Sequence, residues 1–448
     1  MFDDLLSGRN VYIFGAGQRG RECLRLLRES KIHVKAFWDN DFTKSNSVID
    51  GINVETPKRS CEGIIIITVW NCYDEIREQL HKLGYAENNI ISLDELTVEK
   101  QKRDQVESFV YEYPHTIQLP ITFLCNFDCV MCGMHHMINR KDFSATELQD
   151  ILQDKLFTQV ESVGVNGGEP FLKPDLIECF QIIINTLPKI KNFNIISNGF
   201  FSEKILDSLH IIKKMCAKKN IKVNLSISVD GIQDMQDFHR GKKNAFKNAD
   251  STCRLILANK DIYIDNIKAI CTITRYNIER INEVMVWAAN IGIEVEYNIA
   301  TVNARIENQN RVKDFSVFSD ERAKMLATEF FYCQYKQTRK ERYFAIYLYL
   351  RKGKRYADCP YMHNEWITLT PDSQISFCAT HSKTLGSGLE HSAYQLVQEN
   401  KGYLKEIKEK HCQTCSHYSY NLNSEGIKML YDDLYKNSSL RKEEIITW

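Results

Sequence analysis

The chain has 448 residues, 43% of them apolar and 26% charged, and its 58 Lys+Arg balance 58 Asp+Glu. Zero net charge argues against a general nucleic-acid-binding surface, and the apolar content argues against disorder. The longest aliphatic run, residues 64–67, is far short of the ~20 residues of a membrane span, and MFDDLLSGRN is no secretory signal, so the expected location is cytoplasmic, with neither nucleic acid nor membrane as partner.

Residues 11–14 predict a buried strand, followed by Gly15-Ala16-Gly17-Gln18-Arg19-Gly20 and a helix with Cys23, Leu24 and Leu27 on one face. Further strands are expected at 33–38, ending at Asp39, at 64–69 and at 89–93, with a helix that carries Ile76, Leu80 and Leu83 and stops at Gly84. Residues 1–96 therefore read as a small α/β domain and 97–116 as a charged connector. Residues 117–310 alternate strand and helix six times, the strands beginning near Gln118, Ser162, Asn192, Lys222, Asn266 and Glu294. Such alternation builds a parallel sheet. Six units are too few for the closed eight-stranded barrel, which leaves an open partial barrel or a doubly wound sheet. Residues 311–356 are helical and polar, and their basic run at 336–342 is expected to be a solvated face. Residues 357–448 are loop-rich and end in a helix.

Fifteen cysteines are too sparse for a disulfide scaffold, and their odd number points to thiols or metal ligands. Cys23, Cys61, Cys72, Cys179, Cys216, Cys253, Cys271 and Cys333 are scattered and are expected as buried small side chains. The first cluster, Cys125-Asn126-Phe127-Asp128-Cys129-Val130-Met131-Cys132, follows the first strand of the alternating series. Three thiolates leave one corner of a [4Fe–4S] cube without a protein ligand. A zinc site completed by His135 or His136 is the other reading of this motif.

Later strands end in Asn166-Gly167-Gly168-Glu169-Pro170, Ser197-Asn198-Gly199 and Ser226-Ile227-Ser228-Val229-Asp230-Gly231, with His239-Arg240-Gly241 beyond. Paired glycines let a backbone approach a ligand, and Glu169 and Arg240 suit an ammonium and a carboxylate. In this order, with the cysteine motif, these segments resemble the radical S-adenosylmethionine (SAM) superfamily over about 117–420. The resemblance implies an α/β fold with a partial (β/α)6 TIM barrel core. It also implies a [4Fe–4S] cluster on Cys125, Cys129 and Cys132, and SAM contacts from Gly167, Gly168, Glu169, Asn198, Ser228, Asp230 and Arg240. Met131 replaces the aromatic residue common before the third cysteine and fills similar space. The implied chemistry is reductive cleavage of SAM to a 5′-deoxyadenosyl radical that abstracts a hydrogen atom, fed by a flavodoxin- or ferredoxin-type donor.

Cys359, Cys378, Cys412 and Cys415, spaced C-x18-C-x33-C-x2-C, can close one cluster or one zinc. With the stretch 366–378 they resemble the SPASM/twitch domains, the one-cluster twitch form fitting better. That implies a small loop-rich C-terminal iron-sulfur domain and two [4Fe–4S] clusters in all. Ser373-Gln374 departs from the glycine usual in that hairpin.

Gly15, Gly17 and Gly20 lie between a strand and a helix with Asp39 at the end of the next strand, the context of a dinucleotide fingerprint. The unit resembles Rossmann-like domains attached to enzymes of nucleotide-sugar metabolism. A nucleotide or nucleotide-sugar on this loop and an empty, docking role stand side by side. The expected function is a radical SAM oxidoreductase or isomerase acting on a small polar substrate: a carbohydrate, a nucleotide-linked sugar or a polyol. The rivals are a maturase of ribosomal peptides and a zinc-binding, non-enzymatic adaptor. No pattern selects a residue that moves a proton or hydrogen atom at the substrate.

Overall fold

A computed structural model describes residues 6, 8–29, 31–59, 63–69, 72–93, 110–417, 422–423, 425–430 and 433. Cys61, most of the expected connector and most of the expected terminal helix lie outside the described residues. The chain divides into two compact units, 1–108 with 427–448, and 109–426.

In the first unit β1 (Val11–Phe14), β2 (Val34–Trp38), β3 (Val48–Ile49), β4 (Ile52–Glu55), β5 (Ile64–Ile67) and β6 (Ile90–Ser92) pair in the order β3-β4-β2-β1-β5-β6. All pairs are parallel except the hairpin β3–β4. Helices Gln18–Glu29 and Tyr73–Lys82 follow β1 and β5. Val11, Ile13, Cys23 and Leu27 belong to one apolar cluster, and Tyr12, Phe14, Ile76 and Leu80 to another. Successive strand residues thus feed opposite faces, as a sheet covered on both sides requires. The second helix terminates where expected, with Gly84 at φ +95° and Tyr85 N–H donating to the Leu80 carbonyl at 3.0 Å. The hairpin β3–β4 was not expected. Its signal is the Asp50-Gly51 pair, both at positive φ (48° and 82°), a two-residue turn of the kind that joins short strands.

In the second unit β7 (Thr116–Thr122), β8 (Ser162–Gly167), β9 (Asn192–Ser197), β10 (Lys222–Ser228), β11 (Asn266–Ile273) and β12 (Val295–Ile299) run parallel in sequential order. This mixed α/β architecture matches the expected six-unit partial barrel. Its outward face is apolar: Val163, Val165, Phe193, Leu225 and Cys271 are buried, and the Phe193 ring lies 4.7 Å from Phe180 of helix Leu176–Thr186. Helix Ala245–Ala258 fills the helical interval expected between β10 and β11, although Asn248, Asp250, Ser251 and Thr252 dilute its apolar period. Cys179, Cys216, Cys253 and Cys271 are buried as anticipated, whereas Cys72 is half-buried and Cys333 lies exposed on helix Glu321–Thr338.

The segment after helix Glu341–Lys352 extends the barrel sheet. Strand β13 (Trp366–Leu369) pairs parallel with β7, and β14 (Gln374–Ser376) and β15 (Gly386–Ser387) continue antiparallel beyond it. Ser373 occupies the β13–β14 turn at φ +67°, its N–H donating to the Thr370 carbonyl at 2.9 Å. A side chain in this left-handed conformation costs roughly 1–2 kcal/mol, less the entropy that a glycine forfeits. Ser373→Gly is therefore expected to stabilise the chain by about 0.5–1 kcal/mol, read as a raised urea midpoint at unchanged slope.

Candidate active site

The cysteine loop leaves the C-terminal end of β7, and the other sequence-predicted segments converge on it. Gly167 sits at φ +125°, and a Cβ on Gly168 would stand 2.1 Å from the Leu124 carbonyl oxygen. Both glycines thus press the end of β8 onto the backbone leading into the cysteines. Glu169 is fully buried. Its carboxylate accepts from Asn198 N–H at 2.7 Å, Ser197 Oγ at 2.9 Å and Phe171 N–H at 3.2 Å, so it ties the ends of β8 and β9 together. Burial raises its pKa to about 7 against the lowering effect of those donors. For an acid the sign is clear: a raised folded-state pKa makes stability fall as pH rises. Stability of the metal-free chain is expected to decline from pH 4.5 to about 7 on account of Glu169 and to lose that slope in Glu169→Gln, as thermal unfolding across pH would show.

Asn198 donates through Nδ2 to Asn126 Oδ1 at 2.8 Å, while its own Oδ1 accepts from Phe200 N–H at 3.0 Å. Ser228 ends β10, and its carbonyl accepts from Gln236 Nε2 at 2.9 Å. Asp230, also fully buried, takes Thr272 N–H at 2.7 Å on one oxygen, and His239 Nδ1 at 2.8 Å and Arg240 Nη2 at 2.7 Å on the other. Burial pushes its pKa up, but Arg240 and His239 outweigh that and hold it below the ordinary carboxylate range. Both oxygens of Asp230, an expected SAM contact, accept from protein donors, and its carboxylate fixes Arg240. Arg240 Nη1 stands 3.9 Å from Cys129 Sγ, and its buried Nε finds no acceptor among the described residues. Asn126 Nδ2 is likewise buried without an acceptor.

Cys125, Cys129 and Cys132 border one apolar cluster with Phe127, Met131 and Phe315. Met134 N–H donates to Cys132 Sγ at 3.4 Å. Burial pushes the Cys125 and Cys129 thiols up to about 12, so iron must displace their protons on binding. Among the described residues no three His, Cys, Asp or Glu side chains stand close enough to hold a single metal ion. His135 and His136 are exposed while Met134 and Met137 of the same turn are buried, so neither histidine is packed against the thiols. Three loop thiols, a donor N–H on sulfur and two unpartnered buried donors fit an iron–sulfur cluster with a polar ligand beside it.

Cys359, Cys378, Cys412 and Cys415 line one cavity, together with Arg355 and His417. Arg355 is buried and clamps the two halves of this set: Nε donates to the Ala357 carbonyl at 2.9 Å and Nη1 to the His417 carbonyl at 2.7 Å. His381 N–H and His417 N–H donate to Cys378 Sγ and Cys415 Sγ, each at 3.4 Å.

The sequence reading missed the inner face of the sheet. Many side chains facing away from the helices are polar, Ile196 and Ile270 being apolar there: Asn166 Nδ2 reaches Gln118 Oε1 at 3.3 Å, Asn194 Nδ2 reaches Ser162 Oγ at 3.0 Å, Asn224 Nδ2 reaches Asn194 Oδ1 at 3.1 Å, and Asn266 Nδ2 reaches Asn224 Oδ1 at 2.8 Å. On β11 and β12, Lys268 pairs with Glu296, which also pairs with Arg342 at 2.6 Å. Arg342 was expected on a solvated face; its side chain is only 17% exposed. Alternate polar residues within otherwise apolar parallel strands are the signal that could have revealed this lining.

In the N-terminal unit Gly15 is at φ +113° and would bring a Cβ 2.5 Å from Thr68 Oγ1, Gly20 would bring one 2.0 Å from the Gly15 carbonyl, and Gly17 faces open space. Asp39 closes on this loop itself: Oδ2 accepts from Ala16 N–H at 2.9 Å and Lys44 Nζ at 3.1 Å, and Oδ1 from Asp41 N–H at 2.9 Å.

A partial parallel barrel whose first strand delivers three thiols to a loop braced by the ends of its neighbours defines an iron–sulfur enzyme class. Residues 119–288 match the Radical SAM superfamily model, and residues 7–91 match the model described as C2185-like, N-terminal. Residues 119–288 thus form a radical SAM domain. It is 28% identical over 129 residues to GTP 3′,8-cyclase of Alkaliphilus oremlandii, covering 28% of this chain and 38% of that protein. It is 33% identical over 89 residues to GTP 3′,8-cyclase of Shewanella denitrificans, covering 19% and 26%. The chain thus spans roughly a third of the length of these curated relatives. Among solved structures it is similar to native anSMEcpe with bound AdoMet and Kp18Cys peptide, with TM-score 0.50, 15% identity, and 73% of this chain and 98% of the other covered. SuiB of Streptococcus suis bound to the precursor peptide SuiA gives TM-score 0.48 and 14% identity over 78% and 82%. The family carries a [4Fe–4S] cluster and SAM. No helix among the described residues is long and apolar enough to cross a membrane.

Proposed function

We propose that the chain is a radical SAM oxidoreductase or isomerase acting on a small hydroxylated substrate: a carbohydrate, a nucleotide-linked sugar or a polyol. The observation that carries the substrate class is the polar inner face. Barrel interiors are ordinarily packed with branched apolar side chains, whereas here Gln118, Asn166, Asn194, Asn224 and Asn266 line the sheet with amides that can donate to and accept from hydroxyl groups. When bound, the cluster supplies the electron that cleaves SAM and so a carbon radical able to take a hydrogen atom from an unactivated C–H bond. Cys125, Cys129 and Cys132 hold that cluster, Arg240 and Asn126 offer donors to the SAM carboxylate and hydroxyls, and Glu169 and Asp230 brace the loops that aim them.

The cavity-lining quartet Cys359, Cys378, Cys412 and Cys415 holds a second, fully protein-ligated cluster in this reading, as part of a twitch-like C-terminal segment. Its support is the closed set of four thiols with N–H donors on two of them. The N-terminal unit is Rossmann-like in this reading, because its parallel strands follow the order of dinucleotide-binding sheets and Gly15, Gly17 and Gly20 occupy the positions such loops need. A nucleotide here would displace Lys44 from Asp39, so titration of the full chain with a nucleoside diphosphate should give a Kd that Asp39→Ala weakens about tenfold.

The experiment is anaerobic reconstitution with iron and sulfide, followed by dithionite and SAM, with 5′-deoxyadenosine measured alone and with added substrates. Stimulation by polyols, sugar phosphates or nucleoside-diphosphate sugars supports the proposal, and stimulation by peptides alone replaces it with the maturase reading. A colourless protein holding zinc and making no 5′-deoxyadenosine would leave the adaptor.

A further inference from the structure

The loop that follows β12 touches both cysteine sets. On one side the Ile306 carbonyl accepts from Gly133 N–H at 2.9 Å, Asn308 Nδ2 donates to the Met131 carbonyl at 2.8 Å, and Arg311 Nη1 donates to the Cys132 carbonyl at 3.0 Å. On the other side Ala304 N–H donates to the Thr380 carbonyl and Arg305 N–H to the Ala379 carbonyl, both at 3.2 Å, immediately after Cys378. Asn308 is fully buried and uses both ends of its amide: Oδ1 accepts from Asn303 N–H at 2.8 Å, and Nδ2 also reaches the Thr301 carbonyl at 3.0 Å. Gly133 lies tight against the loop, since a Cβ there would stand 2.3 Å from the Ile306 oxygen.

Cys132 and Cys378 are therefore joined by a short route. It runs from Cys378 to the Ala379 carbonyl, across a hydrogen bond to Arg305, through one peptide bond to the Ile306 carbonyl, and across a second hydrogen bond to Gly133 beside Cys132. Backbone groups next to metal-bound thiolates orient them and tune the metal they hold. A fully hydrogen-bonded amide at Asn308 gives the loop one arrangement rather than several.

We propose that Asn308 is a positioning residue for the 125–132 cysteine loop, acting through the Met131 carbonyl. The 303–308 loop further couples the two cysteine sets, so that occupancy of the C-terminal set alters the environment of the group held by Cys125, Cys129 and Cys132. The coupling rests on the reading that both sets hold metal groups; the positioning role of Asn308 needs only the first.

The test uses the full metal-loaded chain, with iron per chain, low-temperature electron paramagnetic resonance of the reduced cluster with SAM, and amide hydrogen exchange. Cys412→Ser/Cys415→Ser is expected to empty the second set, keep iron in the first, shift the g values of the first cluster and speed exchange at Gly133 and Arg305 about tenfold. Asn308→Ala is expected to keep both metals and shift the same g values. Ala304→Pro removes only the donor to Thr380 at the first position of a short 3-10 turn, where proline fits, and should shift the spectrum in the direction of the cysteine variant. Unchanged g values and exchange in Asn308→Ala would overturn the positioning role. Unchanged values in both Ala304→Pro and the cysteine variant would overturn the coupling. A wild-type chain with iron in the first set alone would instead refute the second-cluster reading, leaving Asn308→Ala to decide the rest.

Discussion

Replacing Cys125, Cys129 and Cys132 together by alanine is expected to remove about four irons per chain, from about eight to about four if the C-terminal set is also filled. Formation of 5′-deoxyadenosine from SAM should vanish with them. The loss follows from how the loop is built. All three sulfurs border one apolar cluster, where burial keeps the free thiols neutral, and only iron binding makes thiolates stable there. A cube held by two protein thiolates has neither the attachment nor the single open corner that the chemistry needs, so each single alanine variant should lose at least ~100-fold in 5′-deoxyadenosine formation. The metal-free chain should unfold at nearly its original temperature in the triple variant, because the loop is also held by Asn308, Asn198 and the His239 carbonyl, none of which requires sulfur. Iron content equal to wild type would end the assignment.

The second large effect is expected at Arg240. Arg240→Ala leaves the Asp230 carboxylate fully buried with His239 and Thr272 N–H as its remaining donors, and breaking such a buried pair typically costs about 3–5 kcal/mol. The pH dependence identifies the cause. In the wild type Asp230 has a folded-state pKa below its ordinary value of 3.8, so its contribution is fully present above that pH and fades as pH falls through the lower folded value. Without the guanidinium, burial dominates and raises the pKa, and the sign reverses: stability then falls as pH rises past 3.8. The gap between wild type and variant should thus be widest near neutrality and narrow toward about pH 3 in urea melts. Arg240→Lys restores a positive charge but not the fork that spans Asp230 and Cys129, and should recover stability more than SAM affinity. A uniform loss across pH would show that packing, not charge, is what Arg240 supplies.

Some of the candidate site was legible before any coordinates. The thiols of the first set lie within eight residues, and glycine pairs, strand ends and the alternating apolar pattern are local signals. The roles of individual side chains were less legible. Gly167 and Gly168 also press on Thr122 and Leu124, a contact that no local pattern foretells because a strand end cannot declare which neighbouring backbone it will meet. The anchoring of Arg240 by Asp230 was not foreseen, since its partners Thr272 and Arg240 come from different elements. Arg342 looked like part of a solvated basic run, yet it reaches Glu296 across 46 positions.

Local spacing by itself marked the three-cysteine motif, the βα alternation and the glycine loop near the N-terminus, because short-range periodicity and turn chemistry are written in neighbouring residues. Tertiary structure alone decided the hydrogen bonds across the polar lining of the barrel, the Asp230–Arg240 anchor and the Asn308 tie to Met131, 177 residues away. The physical reason is the register of parallel strands: it sets which side chains share a face, and each hydrogen bond across that face joins residues that no local pattern links.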